Sequence, residues 1–209
     1  MPTGEVSIPG YARFAGSFLD GLGISRAALA GSSMGGLIAA DTAAGRPERV
    51  ERLVLVSAPG PGRRAAASEE VGPAGLPRAI AGAVARHSGW LMRSAALRRV
   101  ALGRLLHHPE RISPRLIARL AAGVARPGSI VARRATVRND VGLRVHAIAA
   151  PTLLVWGQHD RVVPPYVADY YEQALRGARK VIFPDTGHAP MIERPALFNR
   201  VLTSFLAAT

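Results

Sequence analysis

At 209 residues the chain suits one domain, or one core carrying an insertion. It has no cysteine, which excludes a disulfide framework and thiol catalysis and fits a reducing compartment. The formal net charge of +13 points toward nucleic acid only until it is localised: between Pro61 and Arg138 fifteen arginines face Glu69, Glu70 and Glu110, and the remainder is nearly balanced.

The opening Met1-Pro-Thr-Gly-Glu-Val-Ser lacks the basic start and apolar stretch of a secretory signal. Tyr11 to Leu22 follows as a predicted helix, with Tyr11, Phe14, Ala15, Phe18, Leu19 and Leu22 on one apolar face ending near Gly23. A strand over 27–31 runs into Gly31-Ser32-Ser33-Met34-Gly35-Gly36, and a helix over 34–44 leads to a strand over 51–57. The stretch 27–40 is too short and too rich in glycine to span a bilayer.

Residues 61–140 differ in texture. Leu102, Leu105 and Leu106, then Leu116, Ile117 and Leu120, recur at helical spacing. Pro73, Pro77, Pro109, Pro114 and Pro127 divide the segment into short helices, and Ser113-Pro114 reads as an N-cap with proline at the first helical position. Trp90, Leu91 and Met92 are expected to pack this segment on the rest of the chain. Then come a strand over 152–156, a helix over 165–176, a strand over 179–184 and a helix over 195–207. Strands alternating with helices imply an α/β fold, a parallel sheet covered by helices on both faces.

Three segments carry chemistry. Gly31-Ser32-Ser33-Met34-Gly35 is a Gly-x-Ser-x-Gly turn between strand and helix, the setting that exposes a serine hydroxyl over a sheet. Small residues at Gly31 and Gly35 let the backbone pass closely, and the helix N-terminus favours developing negative charge. Trp156-Gly157-Gln158-His159-Asp160 and Pro184-Asp185-Thr186-Gly187-His188 each place a polar residue just past a strand end, where open α/β sheets build their sites. The chain order is Ser, Asp, His.

From about Tyr11 to Leu206 the chain therefore resembles the α/β-hydrolase superfamily, on the Gly-x-Ser-x-Gly turn, Trp156-Gly-x-x-Asp160-x-x-Val163-Pro164, and Gly187-His188. The resemblance implies Ser33 as nucleophile, His188 as general base and acid, and Asp160 as the residue that orients and charge-stabilises the imidazolium. The backbone N–H of Met34 would be one oxyanion donor. Residues 1–60 and 141–209 would form the core, and 61–140 a helical cap over the site. The expected reaction is hydrolysis of a carboxylic ester or related acyl bond through an acyl-enzyme, with no metal and no organic cofactor. Carbon–carbon bond hydrolysis on the same scaffold is the alternative, as is an impaired fragment acting as a binding module.

The sequence departs from the family pattern upstream. Family members carry several dozen more residues before the nucleophile helix, with a loop that provides the other oxyanion N–H. The expectation is an N-terminally truncated core with the second donor missing, which lowers turnover by about 10²–10³. Strand 27–31 would then be an exposed edge open to self-association. Asp185 is read as part of the His188 turn, His159 as facing solvent, and His107-His108 as a surface pair at a helix end in preference to a metal site. The basic segment is read as a solvated helical surface that at most attracts anionic ligands, with a small-molecule acyl substrate, no nucleic acid partner and no membrane span. The location expected from these features is cytoplasmic.

Overall fold

The computed structural model describes residues 6–60, 93–117, 119, 135–136 and 141–208. The readings placed on Pro73, Pro77, Trp90, Leu91, Met92, Leu120 and Pro127 lie outside these residues.

Among the described residues four strands form one parallel sheet: β1 (Ala27–Ser32), β2 (Val50–Val56), β3 (Thr152–Gly157) and β4 (Arg179–Phe183), adjacent in that order. Parallel neighbours need a crossover between each pair. Helix α1 (Ile8–Gly21) precedes the sheet and α2 (Met34–Gly45) joins β1 to β2. Helix α3 (Ala95–Leu102) lies between β2 and β3 in the chain, and α4 (Tyr166–Ala174) joins β3 to β4. The short α5 (Pro190–Glu193) and then α6 (Pro195–Ala207) follow β4. Observed strand and helix limits fall within three residues of those expected, and α6 begins and ends where its apolar period does.

Alternation along the strands divides the core between the two faces of the sheet. Leu53, Leu55, Leu154 and Trp156 pack with Leu37, Ala40 and Ala43 of α2 and with Val167, Ala168 and Tyr171 of α4. Val54, Val56, Leu153, Val155 and Phe183 pack on the other side with Phe205 and the partly buried Leu197, Phe198, Val201 and Leu202 of α6. β3 is buried along its whole length, as a central strand covered on both faces must be. β1, outermost in the strand order, alternates between half-buried and exposed over its first four residues.

Helix α1 corrects the expected face. It starts at Ile8, three residues before Tyr11, because the Ser7 hydroxyl accepts from Gly10 N at 3.1 Å and caps the first turn. Its buried residues are Ile8, Ala12 and Gly16, whereas Phe14, Phe18 and Leu22 are about half exposed. A Cβ on Gly16 would meet only the guanidinium end of Arg46, at 2.5 Å. The stripe of larger side chains thus faces away from the helix pair.

Between β2 and β3, residues 93–117 form an arm built from α3, a 3₁₀ turn over Pro109–Arg111 and a helical stretch over 114–117. The expected cap holds, since the Ser113 hydroxyl accepts from Leu116 N at 3.3 Å. Arg98 is buried and donates to the carbonyls of Arg93, Pro109 and Glu110 at 3.0–3.2 Å, closing the arm on itself. Leu102, Leu106 and Ile117 then form a small core with Ala189, next to α5. Some of this segment's basicity is therefore structural.

Strand register sets the functional edge. Ser32 pairs with Val56, Val56 with Val155, and Gly157 with Phe183, so the C-terminal ends of all four strands emerge on one side. At that edge a Cβ on Gly157 would lie 2.0 Å from Gly187 O and 2.4 Å from Thr186 O. Gly157→Ala is accordingly expected to lower the unfolding free energy by about 1–3 kcal/mol. Gly21→Ala, where a Cβ meets nothing within 4 Å, should stay within about 1 kcal/mol of the parent. Urea denaturation of the two variants checks the contrast.

Candidate active site

Ser33 occupies the junction between β1 and α2 with φ 53° and ψ −120°, a conformation that costs a non-glycine residue on the order of 1–3 kcal/mol. The turn is held by Ser33 N donating to Val56 O at 2.8 Å and by Ser33 O accepting from Gly36 N at 2.9 Å. A Cβ on Gly31 would sit 2.1 Å from Gly35 O, and one on Gly36 would sit 2.6 Å from the Ala58 Cβ. The close passage thus needs Gly31 and Gly36; at Gly35, which the sequence pattern had singled out, a Cβ meets nothing within 4 Å. Met34 opens α2, so its N–H belongs to the first turn, where amides lack intrahelical acceptors. Ser57, just past β2, shares the strain at φ 48°; it is buried, and its hydroxyl has no hydrogen-bond partner among the described residues. Nothing in Val56-Ser57-Ala58 marks a left-handed position at the level of sequence.

Past β3 the chain folds back on itself. Trp156 Nε1 donates to Val163 O at 3.1 Å, and His159 N donates to Thr186 O at 2.8 Å, tying this loop to the one after β4. Asp160 ends up with its side chain fully enclosed. Its Oδ1 accepts from Val162 N at 2.9 Å and Val163 N at 2.8 Å, and its Oδ2 lies 2.8 Å from His188 Nδ1. A carboxylate so placed can only accept, so Nδ1 carries the proton and Nε2 of a neutral His188 keeps its lone pair. His188 itself is buried, and its N donates to Leu105 O of the arm at 2.8 Å.

The sequence-predicted residues therefore divide. Asp160 and His188 are brought into one buried hydrogen bond, and Ser33 lies at the C-terminal edge of the same sheet. Asp185 turns elsewhere: its Oδ1 faces His108 Nε2 at 2.7 Å and His107 Nε2 at 3.3 Å, and its Oδ2 accepts from Arg194 at 2.8 Å and Arg111 at 3.3 Å. The hydrogen bond from His108, ahead of Arg111, holds the Asp185 carboxyl below its ordinary value. Burial, then the neighbouring His159 and His108, lower His107. His159 is exposed as expected, and its ring stacks on His107 with centroids 4.0 Å apart. His107 and His108, expected as a surface pair, are instead a junction between arm and sheet.

Glu193 is a further residue that sequence reasoning missed. Its carboxylate accepts from Gly187 N at 2.8 Å, from His107 N at 2.7 Å and from His108 N at 3.3 Å. A single α5 side chain thereby fixes the arm against the loop that carries His188. No local pattern around Met191-Ile-Glu-Arg194 signals it, because its partners in the arm lie 85 and 86 residues away.

The profile of the α/β hydrolase fold family matches residues 3–195. The chain belongs to that family, and its named relatives are hydrolases and esterases. It is 29% identical to the pimeloyl-[acyl-carrier protein] methyl ester esterase of Neisseria meningitidis, over 98% of this chain and 82% of that one. It is also 29% identical to the 2-hydroxy-6-oxo-6-phenylhexa-2,4-dienoate hydrolase of Comamonas testosteroni, over 93% of this chain and 68% of that one. Among solved structures, the enol-lactonase of Burkholderia xenovorans superimposes with a TM-score of 0.71 at 26% identity, covering 97% of this chain and 74% of that one. A thermophilic esterase from Thermogutta terrifontis shares the fold with a TM-score of 0.73 at 22% identity, covering 97% of this chain and 73% of that one. No helix among the described residues is long and apolar enough to cross a membrane.

Removing the Glu193 carboxylate leaves backbone amides in two segments without an acceptor. Glu193→Ala should therefore cost about 1–3 kcal/mol of stability, with Glu193→Gln intermediate because one acceptor oxygen survives. Urea denaturation measures the ranking, and limited proteolysis should cut the arm of Glu193→Ala earlier than that of the parent.

Proposed function

We propose that the chain is a serine hydrolase cleaving a carboxylic ester or related acyl bond, with Ser33 as nucleophile, His188 as general base and acid, and Asp160 orienting the imidazole. The observation that carries this reading is the enclosed 2.8 Å bond from His188 Nδ1 to Asp160 Oδ2, which leaves Nε2 as the basic nitrogen. Ser33 supports it through the strained strand-to-helix turn that presents a nucleophilic hydroxyl in such sites.

In the reaction, Ser33 Oγ bonds to the substrate carbonyl carbon while its proton passes to His188 Nε2. The carbonyl oxygen takes the negative charge and is stabilised by the Met34 N–H and the N-terminal end of α2. Collapse breaks the bond to the leaving alkoxide, which accepts the proton from Nε2. Water then attacks the acyl-enzyme, gives its proton to Nε2, and the departing Ser33 oxygen recovers it. Asp160 stays ionised throughout and favours the imidazolium that forms twice per cycle. The chemistry asks for no metal or organic cofactor. The net charge of +13 would favour anionic acyl substrates, an advantage that falls with salt. The lack of cysteine suits work in the cytoplasm.

The similarity to the Comamonas dienoate hydrolase supports one other reading, carbon–carbon bond hydrolysis by the same residues. Turnover of simple esters against that of a 2-hydroxy-6-oxodienoate separates the two.

A fluorophosphonate probe should label the folded chain at Ser33 with one equivalent, and Ser33→Ala should abolish labelling. Asp160→Asn should reduce hydrolysis of a p-nitrophenyl ester on the order of 10³–10⁴-fold, because the imidazole is then held in the wrong tautomer. A folded protein that neither labels nor turns over esters contradicts the proposal.

A further inference from the structure

Beside the Asp160–His188 pair, on the arm side of the β4 loop, a second cluster of ring nitrogens and carboxylate oxygens is left unexplained by acyl chemistry. We propose that His107 Nε2, His108 Nε2 and Asp185 Oδ1 form a transition-metal site of the zinc type that clamps the arm to the loop carrying His188. His108 and Asp185 lie 77 residues apart in the chain, and one ligand atom from each of the three residues lies within 4.8 Å of the other two.

Proton bookkeeping at His108 motivates the assignment. Its Nδ1 lies 3.1 Å from Glu110 Oε1 and its Nε2 lies 2.7 Å from Asp185 Oδ1, so both ring nitrogens face carboxylate oxygens. A neutral imidazole has one N–H and can serve only one of them. With Nδ1–H given to Glu110, Nε2 presents a lone pair beside Asp185, where a metal ion can take the place of the proton that otherwise bridges the two. A histidine whose outer nitrogen donates to a carboxylate while the other binds metal is the arrangement that fixes tautomer and ring orientation in zinc sites.

Geometry agrees. Ligand bonds of about 2.0–2.2 Å in a tetrahedron put donor atoms about 3.3 Å apart. His107 Nε2 and Asp185 Oδ1 are 3.3 Å apart, whereas His108 Nε2 and Asp185 Oδ1, at a hydrogen-bond distance of 2.7 Å, would have to separate by about 0.6 Å to admit the ion. An open cleft of about 410 Å³, lined by His107, His108, Glu110, Arg111 and Arg161 among others, gives access. A water can complete the coordination.

The arginines decide which metal. Arg111 and Arg194 occupy Asp185 Oδ2, and Arg99 pairs with Glu110 Oε2 at 3.2 Å. With both carboxylates neutralised, a hard ion held by charge gains little. An ion that bonds imidazole gains two nitrogen ligands, which favours zinc, cobalt or nickel over magnesium or calcium. The bound ion would add a bond between arm and loop where Glu193 already joins them, so its effect reaches the segment that positions His188.

Isothermal titration of the chelator-treated full chain with Zn²⁺, each variant checked for folding by circular dichroism, tests this independently of hydrolysis. One equivalent should bind, Mg²⁺ in excess should not compete, and Co²⁺ should give the visible absorption of a tetrahedral site. Glu110→Gln should weaken Zn²⁺ by about 10–100-fold. His107→Ala, His108→Gln and the conservative Asp185→Asn should weaken it further, and Zn²⁺ should raise the Tm of the parent alone. Failure of the folded parent to bind one equivalent overturns the proposal. So does binding that survives both His107→Ala and His108→Gln, or an NMR spectrum showing His108 doubly protonated in the presence of Zn²⁺.

Discussion

Asp160 is a carboxylate without solvent contact, and the functional edge of this protein is organised around making that tolerable. The effective cost of enclosing such a charge is several kcal/mol unless its lone pairs are used. Here two backbone amides and one imidazole N–H use them. Each donor requires a different piece of architecture. The amides of Val162 and Val163 converge only if the loop past β3 closes, which the Trp156 indole enforces by donating to Val163 O. The imidazole arrives only if the loop past β4 lies against the first, which the bare backbone of Gly157 permits. Sheet register, a buried tryptophan and one glycine thus act on a single carboxylate, and through it on the proton of His188.

The arm between β2 and β3 belongs to the same device. His188 N donates to Leu105 O, and Glu193 gathers amides from both segments, so the histidine is held from two sides. For the proton transfer proposed for His188, a backbone that cannot drift is an advantage, since small misplacements of catalytic groups cost rate steeply. The small core of Leu102, Leu106 and Ile117 around Ala189 supplies the packing that makes those hydrogen bonds persist. Under the metal proposal, the ion reinforces the same joint.

Much of this was legible in the sequence where the signal is local. The parallel sheet follows from apolar runs alternating with helical periods, and the Asp160 and His188 positions follow from motifs just past strand ends. Ser33 was legible for the same reason, as a turn whose crowding demands small residues. At α1 periodicity misled: the helix buries Ile8, Ala12 and Gly16 and leaves Phe14 and Phe18 about half exposed. The Gly35 and Gly36 roles exchanged, since Ala58 comes from another strand end. Glu193, Arg98 and the His107–His108–Asp185 junction were not legible, for their partners are set by tertiary contact between distant segments or by irregular turns. Basic residues that looked like a uniform solvated surface divide, in the described residues, into structural and exposed ones.

The central claim is that Asp160 holds the Nδ1 proton of His188 in an enclosed hydrogen bond and leaves Nε2 free to act. The proton NMR spectrum of nitrogen-15-labelled protein reads that proton directly. The account predicts one slowly exchanging imidazole N–H resonance downfield of the backbone amides, absent in His188→Gln and displaced upfield in Asp160→Asn. A spectrum without such a resonance, or one that both substitutions leave unchanged, would contradict it.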